Sequence, residues 1–368
     1  MARPPSAGAP AALPPGQDAS SGAGIGGEGS AVPESLPDDE GAEPAPAAPS
    51  DAANPMPTSD DRALSPPVVV AASTGAAYDP VSDRAYLVAG ETVRLVDFAD
   101  DGAVSDFFRP PGEVVAIDAD AVGVLVLSHA EMDVLQLDRL DHGGAVLYSV
   151  AVPRQAGELT RVRLLNVDTA LVYGVHGSGT GSQVVVGMAS GQVVDANLYS
   201  FVYAPAGLGL IDEGIWFPSA YPGEVAQARV DETGALVEQH RFAVGEDWLH
   251  DVQPLDTSTA LVAGHLRGLG AVMLDAATSE VPYEPLWERL WAYSLVGERH
   301  AYSATGSFLL CIDPATLTTH ELEVPGFEDA PSMRNTTPIG ERAPGRVLLH
   351  QPGTGLVELD CEAATATP

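Results

Sequence analysis

An aspartate closes a short apolar phrase again and again along this chain, and that recurrence constrains the fold more than any other feature. "TVRLVD" ends at Asp97, "DVLQLD" at Asp138, "EVAQARVD" at Asp231, "GAVMLD" at Asp275, "FLLCID" at Asp313 and "GLVELD" at Asp360. "SQVVVGMA" fills the longest gap, with Ala189 in the aspartate position. The phrases recur at the length of a propeller blade, roughly 40–50 residues, and define seven units. Each unit holds four apolar runs parted by Gly, Asp, Thr or Ser turns; the first reads "GAAYD", "RAYLVAG", "TVRLVD", "AVSDFF". Four such runs make one antiparallel blade, and blades set around an axis leave only short edges.

The aspartate has a local task in this scheme. Its carboxylate accepts backbone N–H groups two residues on and fixes the hairpin that follows. All six are therefore read as turn residues rather than catalytic ones. The seventh unit runs out of chain after "GLVELDCEA", whereas a spare run, "PPVVVAAS", precedes the first unit. Pairing the spare with the vacancy closes the ring. The expected fold is all-β: a seven-bladed β-propeller of four-stranded antiparallel blades over residues 67–361. An N-terminal strand at about 67–73 completes its last blade, and a short tail, 362–368, follows it.

"AYDPVSDRAYLVAGETVRLVD", residues 77–97, resembles the YVTN/NHL type of propeller repeat, in which a "D-P-x-x-x-R-x-Y-V" strand pair leads into a "V-x-V-I-D" strand. "GSFLLCIDPATLTTHELEVPG" matches the same pattern in part. The resemblance implies a propeller. Such propellers serve as binding platforms, signalling modules and, less often, enzymes, so the fold does not carry the function.

Residues 1–66 have a different composition. They contain 13 of the 31 prolines and no aromatic residue. Such a segment cannot bury enough apolar surface to offset its ordering entropy, so it is expected to be a disordered tail or linker. It resembles the spacer of secreted or lipid-anchored bacterial proteins. The chain as given starts without a signal-type apolar region, so an extracytoplasmic location requires a signal that was removed or lies upstream; the alternative is a cytoplasmic protein with a loose end. No apolar run is long enough to span a bilayer.

The formal charge is −34, with 17 arginines and no lysine. Charge of this size repels phosphate backbones and anionic lipid, so nucleic acid and acidic membranes are excluded as expected partners. A monomer that binds a protein, a peptide or a small molecule is expected. Two cysteines, Cys311 and Cys361, are too few for a disulfide framework, and the expectation is two buried thiols unless the fold brings them together.

The patterns of familiar catalysts are missing: there is no GxSxG elbow, HExxH, Walker loop or complete calcium loop. "GVHGSGTGSQ" (174–183) reads as a hairpin, because a strand and not a helix follows it. "DADAVG" (118–123) reads as a strand entering a turn. Four units place a histidine just after the second strand: His129, His176, His265 and His350. Histidines from several blades are weak candidates for a metal site, because second strands stand away from the axis.

The links between blades and the starts of innermost strands hold the expected ligand-binding residues. "GELTRVR" supplies Glu158 and Arg161, and "GEDWLHD" supplies Trp248 and His250. "PLWERLWAY" supplies Trp287 and Arg289, with helical spacing as an alternative to strand, and "DAPSMRNTT" supplies Arg334 and Asn335. Aromatic groups beside charges at one mouth of the channel suit a ligand or peptide. The expected function is a non-catalytic binding module. The alternative is a hydrolase or lyase, with or without a metal, acting on the same face. The cofactor is left open.

Overall fold

In a computed structural model of the protein, the described residues are 69–70, 72–153, 158–175, 181–195, 208–211, 214–219, 223–245, 249–264, 268–273, 283–287, 292–297, 299–305, 308–324 and 336–362. All lie within the unit Asp61–Pro368. The expected disordered tail falls outside them.

The strands group into seven four-stranded antiparallel sheets, six running in chain order from the centre outward and the seventh taking the first strand of the chain as its outermost. Blade 1 holds β2 (Gly75–Asp79), β3 (Arg84–Ala89), β4 (Thr92–Asp97) and β5 (Ala103–Phe108). Blade 2 holds β6 (Val114–Asp120), β7 (Gly123–Glu131), β8 (Val134–Leu140) and β9 (Val146–Pro153). Blade 3 holds β10 (Glu158–Asn166), β11 (Thr169–Val175), β12 (Gly181–Gly187) and β13 (Gln192–Asp195). Blade 4 holds β14 (Gly209–Ile211), β15 (Gly214–Ser219), β16 (Glu224–Val230) and β17 (Leu236–Ala243). Blade 5 holds β18 (Leu249–Pro254), β19 (Thr259–Gly264), β20 (Gly268–Met273) and β21 (Tyr283–Trp287). Blade 6 holds β22 (Ala292–Val296), β23 (Ala301–Thr305), β24 (Phe308–Ile312) and β25 (Thr319–Glu323). Blade 7 holds β26 (Thr337–Ala343), β27 (Arg346–Gln351), β28 (Gly355–Asp360) and, on its outside, β1 (Val69–Val70). "PLW" is thus strand, not helix.

Alternation along the second strands explains the ring. In β7, Leu125 and Leu127 pack toward blade 3, while Val124 and Val126 pack toward blade 1. Both faces of a blade are apolar, so each blade needs two neighbours. Seven separate core clusters fill the seven seams between consecutive blades, the last of them joining Leu348 and Leu356 of blade 7 to Tyr78 and Leu87 of blade 1.

The ends meet as the spare run implies: Val69 pairs with Leu356 and Val70 with Gly355. The seam they close is reinforced from several sides. Arg342 of blade 7 grips Asp83 of blade 1 through two bonds of 2.8 Å and lies 4.0 Å over the Phe98 ring. Gly340 lies so near the Tyr78 ring that a Cβ there would stand 2.0 Å from it.

Cys311 and Cys361 form a disulfide. This corrects the expectation of two free thiols: Cys311 sits in the third strand of blade 6 and Cys361 follows the third strand of blade 7, and both enter the same seam cluster.

The turn reading of the aspartates holds at four of the six. Asp97 accepts from Ala99 N, Asp231 from Thr233 N and Ala235 N, Asp313 from Ala315 N, and Asp360 from Glu362 N. Asp275 lies outside the described residues. Asp138 is a correction. It is fully buried within β8, where its carboxylate accepts from the Gln136 amide and the Ser149 hydroxyl. The turn aspartate of blade 2 is Asp141, which accepts from Gly143 N and Ala145 N at 2.9 Å each. Asp120 within "DADAVG" also makes a turn, accepting from Val122 N.

Candidate functional site

The strand order puts the second-to-third hairpins and the links between blades on one face of the ring. The first-to-second and third-to-fourth hairpins lie on the other. The aspartate turns occupy the second of these faces, which leaves the first, and the channel it opens into, for ligand chemistry.

The expected ligand-binding residues are distributed as follows. Glu158 opens β10, and Arg161 lies on the same innermost strand with its side chain exposed. His250 is the second residue of β18, also innermost. Trp287 ends β21, the outermost strand of blade 5, so it begins its link at the outside of the ring. Trp248, Arg289, Arg334 and Asn335 lie outside the described residues, as do His176 and His265. His129 is half-buried in β7 of blade 2 and His350 is buried in β27 of blade 7, with blade 1 between them. Among the described residues no three His, Cys, Asp or Glu side chains converge as a metal site would require.

What the structure brings together is a charged cluster around Tyr173. Arg161 stands directly opposite Tyr173 in the β10–β11 register. Burial raises the Tyr173 pKa; Arg161 and Arg163 pull it down, and Asp118 and Asp251 push it up. These four charges from blades 2, 3 and 5 therefore act on a single hydroxyl. Blade 4 lies between blades 3 and 5, and its innermost strand β14 is three residues long against six for β18 and nine for β10.

Asp118 is the anchor of this cluster. Its carboxylate accepts from Leu164 N of blade 3 at 2.7 Å and lies 3.6 Å from the Arg163 guanidinium. Burial raises its pKa, and Arg163 opposes the rise. Arg163 is thereby committed to Asp118. Arg161 has no carboxylate within ion-pair distance among the described residues. A fixed ion pair, the negative field of Asp251 and a guanidinium that no described carboxylate holds together present both charge signs at this wall.

Sequence reasoning found Arg161 but missed Asp118, Arg163, Tyr173 and Asp251. The alternation in "TRVR" puts Arg161 and Arg163 on one face of a strand, which was a usable signal. The influence of Asp251 on Tyr173, two blades away, has no sequence signature.

Another pair on the same face has the spacing of a nucleophile and its base. Ser73 Oγ and His350 Nε2 are 2.9 Å apart. Both residues are buried, 4% and 3% exposed, which denies them to a substrate. The bond joins the segment after the closing strand to blade 7. Ser73 also accepts from Gly353 N through its carbonyl at 3.0 Å. His350 is thus a closure residue rather than a metal ligand, and burial depresses its pKa to about 4.

Blades and seams define a seven-bladed β-propeller. No family model matches the chain, and no curated protein matches it. Among solved structures, the β-propeller domain of Cps50 (Swd1) from Myceliophteria thermophila aligns with a TM-score of 0.58 at 10% identity, over 81% of this chain and 99% of that one. PorZ, a bacterial surface component of the type-IX secretion system of Porphyromonas gingivalis, aligns at 0.54 and 13%, over 80% of this chain and 37% of its own. The N-terminal domain of Nup159 aligns at 0.52 and 10%, over 78% and 89%. At these identities the likeness is one of fold alone.

Proposed function

We propose that this protein is a non-catalytic, ligand-binding propeller of YVTN/NHL-like repeat type that works outside the cytoplasm. Its ligand, a peptide or small molecule carrying both charge signs, engages the channel wall at Arg161. The observation that carries this reading is the exposed guanidinium of Arg161, held by no carboxylate among the described residues, beside the Asp118–Arg163 ion pair, Tyr173 and Asp251. In a chain of charge −34, an exposed arginine that no described carboxylate holds remains available to the anionic group of a ligand.

The location is supported by the buried Cys311–Cys361 disulfide, since cytoplasmic thiols are kept reduced. The acidic, proline-rich leader then acts as a spacer, and the propeller works as a monomer.

A thermal-shift panel of zwitterionic peptides, amino acids and dicarboxylates on the full chain tests the binding reading. A hit whose stabilisation disappears in Arg161→Ala and persists in Arg94→Ala supports it. Hits that are indifferent to Arg161→Ala, or turnover of any of these compounds, would contradict it.

A further inference from the structure

The outermost strand of each blade has one edge that its own sheet leaves unpaired. Proteins guard such edges with charge, with proline or by keeping the strand short. Six of the seven blades follow that rule. β5 carries Asp106, β13 ends on Asp195, β17 carries Glu238 and Arg241, β21 holds Glu284 and Pro285, and β25 holds Glu321 and Glu323. β1 is only two residues long. β9 of blade 2, "VLYSVAVP", has eight residues and no charge.

This edge is also apolar and firmly held. Val146, Leu147 and Tyr148 are 48%, 49% and 39% exposed, and Ala151 is exposed beside them. Among the described residues, no other strand contributes more than one large exposed apolar side chain. Val150 and Val152 are buried in the seam with blade 3, and the Ser149 hydroxyl donates to the buried Asp138. The register against β8 is regular from Arg139–Tyr148 to Val134–Pro153, and its one shift is confined to the turn end beside Leu147. Alternate residues of such a strand turn their backbone groups away from the sheet, ready for another strand.

Acids stand at both ends of the uncharged edge. Pro153 pairs with Val134, and Val134 with Glu131, so the exposed hairpin residues Glu131, Met132 and Asp133 lie at that end. Asp141 lies in the turn at the Val146 end. Arg139 of β8 does not offset them at the surface, because it is buried and bound to Asp120.

We propose that β9 is a docking edge, which takes an extended segment of a partner protein as a fifth strand of blade 2. That segment is apolar in its middle and basic at its ends. The backbone ladder supplies affinity, the exposed apolar side chains supply contact, and the acids select the flanking bases. At about 3.4 Å per residue the edge offers about 27 Å for pairing. Charge and composition decide against two other occupants. A second copy of this chain would bring its own charge of −34 and the same acids to the edge. Residues 1–66 hold ten acids against two arginines and 13 prolines, and proline cannot donate to a ladder.

The experiment titrates the full chain with a fluorescent peptide of alternating valine and threonine flanked by lysines. Anisotropy reports binding, and amide hydrogen exchange reports its place. The expected result is saturable binding that slows exchange in Val146–Pro153. The same peptide with glutamate flanks, or with alternate backbone nitrogens methylated, should bind at least about tenfold more weakly. A Leu147→Lys, Ala151→Lys double variant, changed only at exposed positions, should weaken binding to the same degree, whereas Val237→Lys on β17 and Arg161→Ala in the channel should leave it unchanged. The methylated peptide tests the ladder on the unaltered protein. Equal binding of the methylated peptide, protection of another strand instead of β9, or loss of binding in Arg161→Ala overturns the proposal. So does a free chain whose β9 amides are already protected, or a dimer in sedimentation that the lysine variant dissolves, since either would mean that the edge is already taken.

Discussion

Lowering the pH from 7.5 to 5 should loosen the ring where its ends join, and His350 is the reason. In the unfolded chain its imidazole takes a proton near pH 6.5; in the folded protein burial delays this to about pH 4. No charged group is among the causes of that shift. A folded-state pKa below the unfolded one means that protons favour unfolding. The His350 contribution is therefore complete above pH 6.5 and is lost as the pH falls toward 4. Proton linkage over this window gives a loss of about 2 kcal/mol at pH 5, and about 3 kcal/mol below pH 4. The lowered carboxylates, Asp83, Asp231, Asp256 and Asp313, start from the ordinary aspartate value of 3.8 and release their stability only at lower pH, so the two effects separate. Urea unfolding of the wild type and of His350→Gln at pH 7.5 and 5 is the assay. The variant, which cannot titrate there, should lose most of the pH dependence. If His350→Gln shows the same fall in stability as the wild type, the argument from burial at the closure is wrong.

Reducing the Cys311–Cys361 disulfide frees a sequence separation of 50 residues, for which the chain-entropy treatment gives about 4 kcal/mol; a Cys311→Ala, Cys361→Ala double variant should show a lower Tm that no longer responds to dithiothreitol. Gly340→Ala should cost about 1–3 kcal/mol by urea unfolding, because the new methyl group meets a Tyr78 ring that is itself held by a 2.8 Å bond from its hydroxyl to Asp83. Asp141→Ala should cost about 1 kcal/mol by removing an acceptor from two backbone N–H groups, and Asp275→Ala would show whether blade 5 relies on a turn of the same kind.

The blade count, the strand order and the closing strand were legible in the sequence, because each depends on the period and on a simple inventory of apolar runs. Asp138 was misread for a local reason. "LDRLD" offers two aspartates three residues apart, and the strand continues past the first, so Asp138 lies inside β8 and Asp141 makes the turn. The disulfide was not legible, since a separation of 50 residues says nothing about proximity until blades 6 and 7 are set side by side. The channel cluster was legible only at Arg161. Asp118 had been assigned to a strand entering a turn, which is correct for Asp120, while Asp118 reaches to the next blade instead.

The joining of the two chain ends is the claim on which the other assignments rest, and hydrogen exchange measures it directly. Amides of Gly355–Asp360 should be strongly protected in the full chain and lose that protection when residues 1–71 are removed, with the change spreading to β27 and to the Tyr78 seam. Equal exchange of Gly355–Asp360 with and without that segment would contradict a ring fastened by its own N-terminal strand.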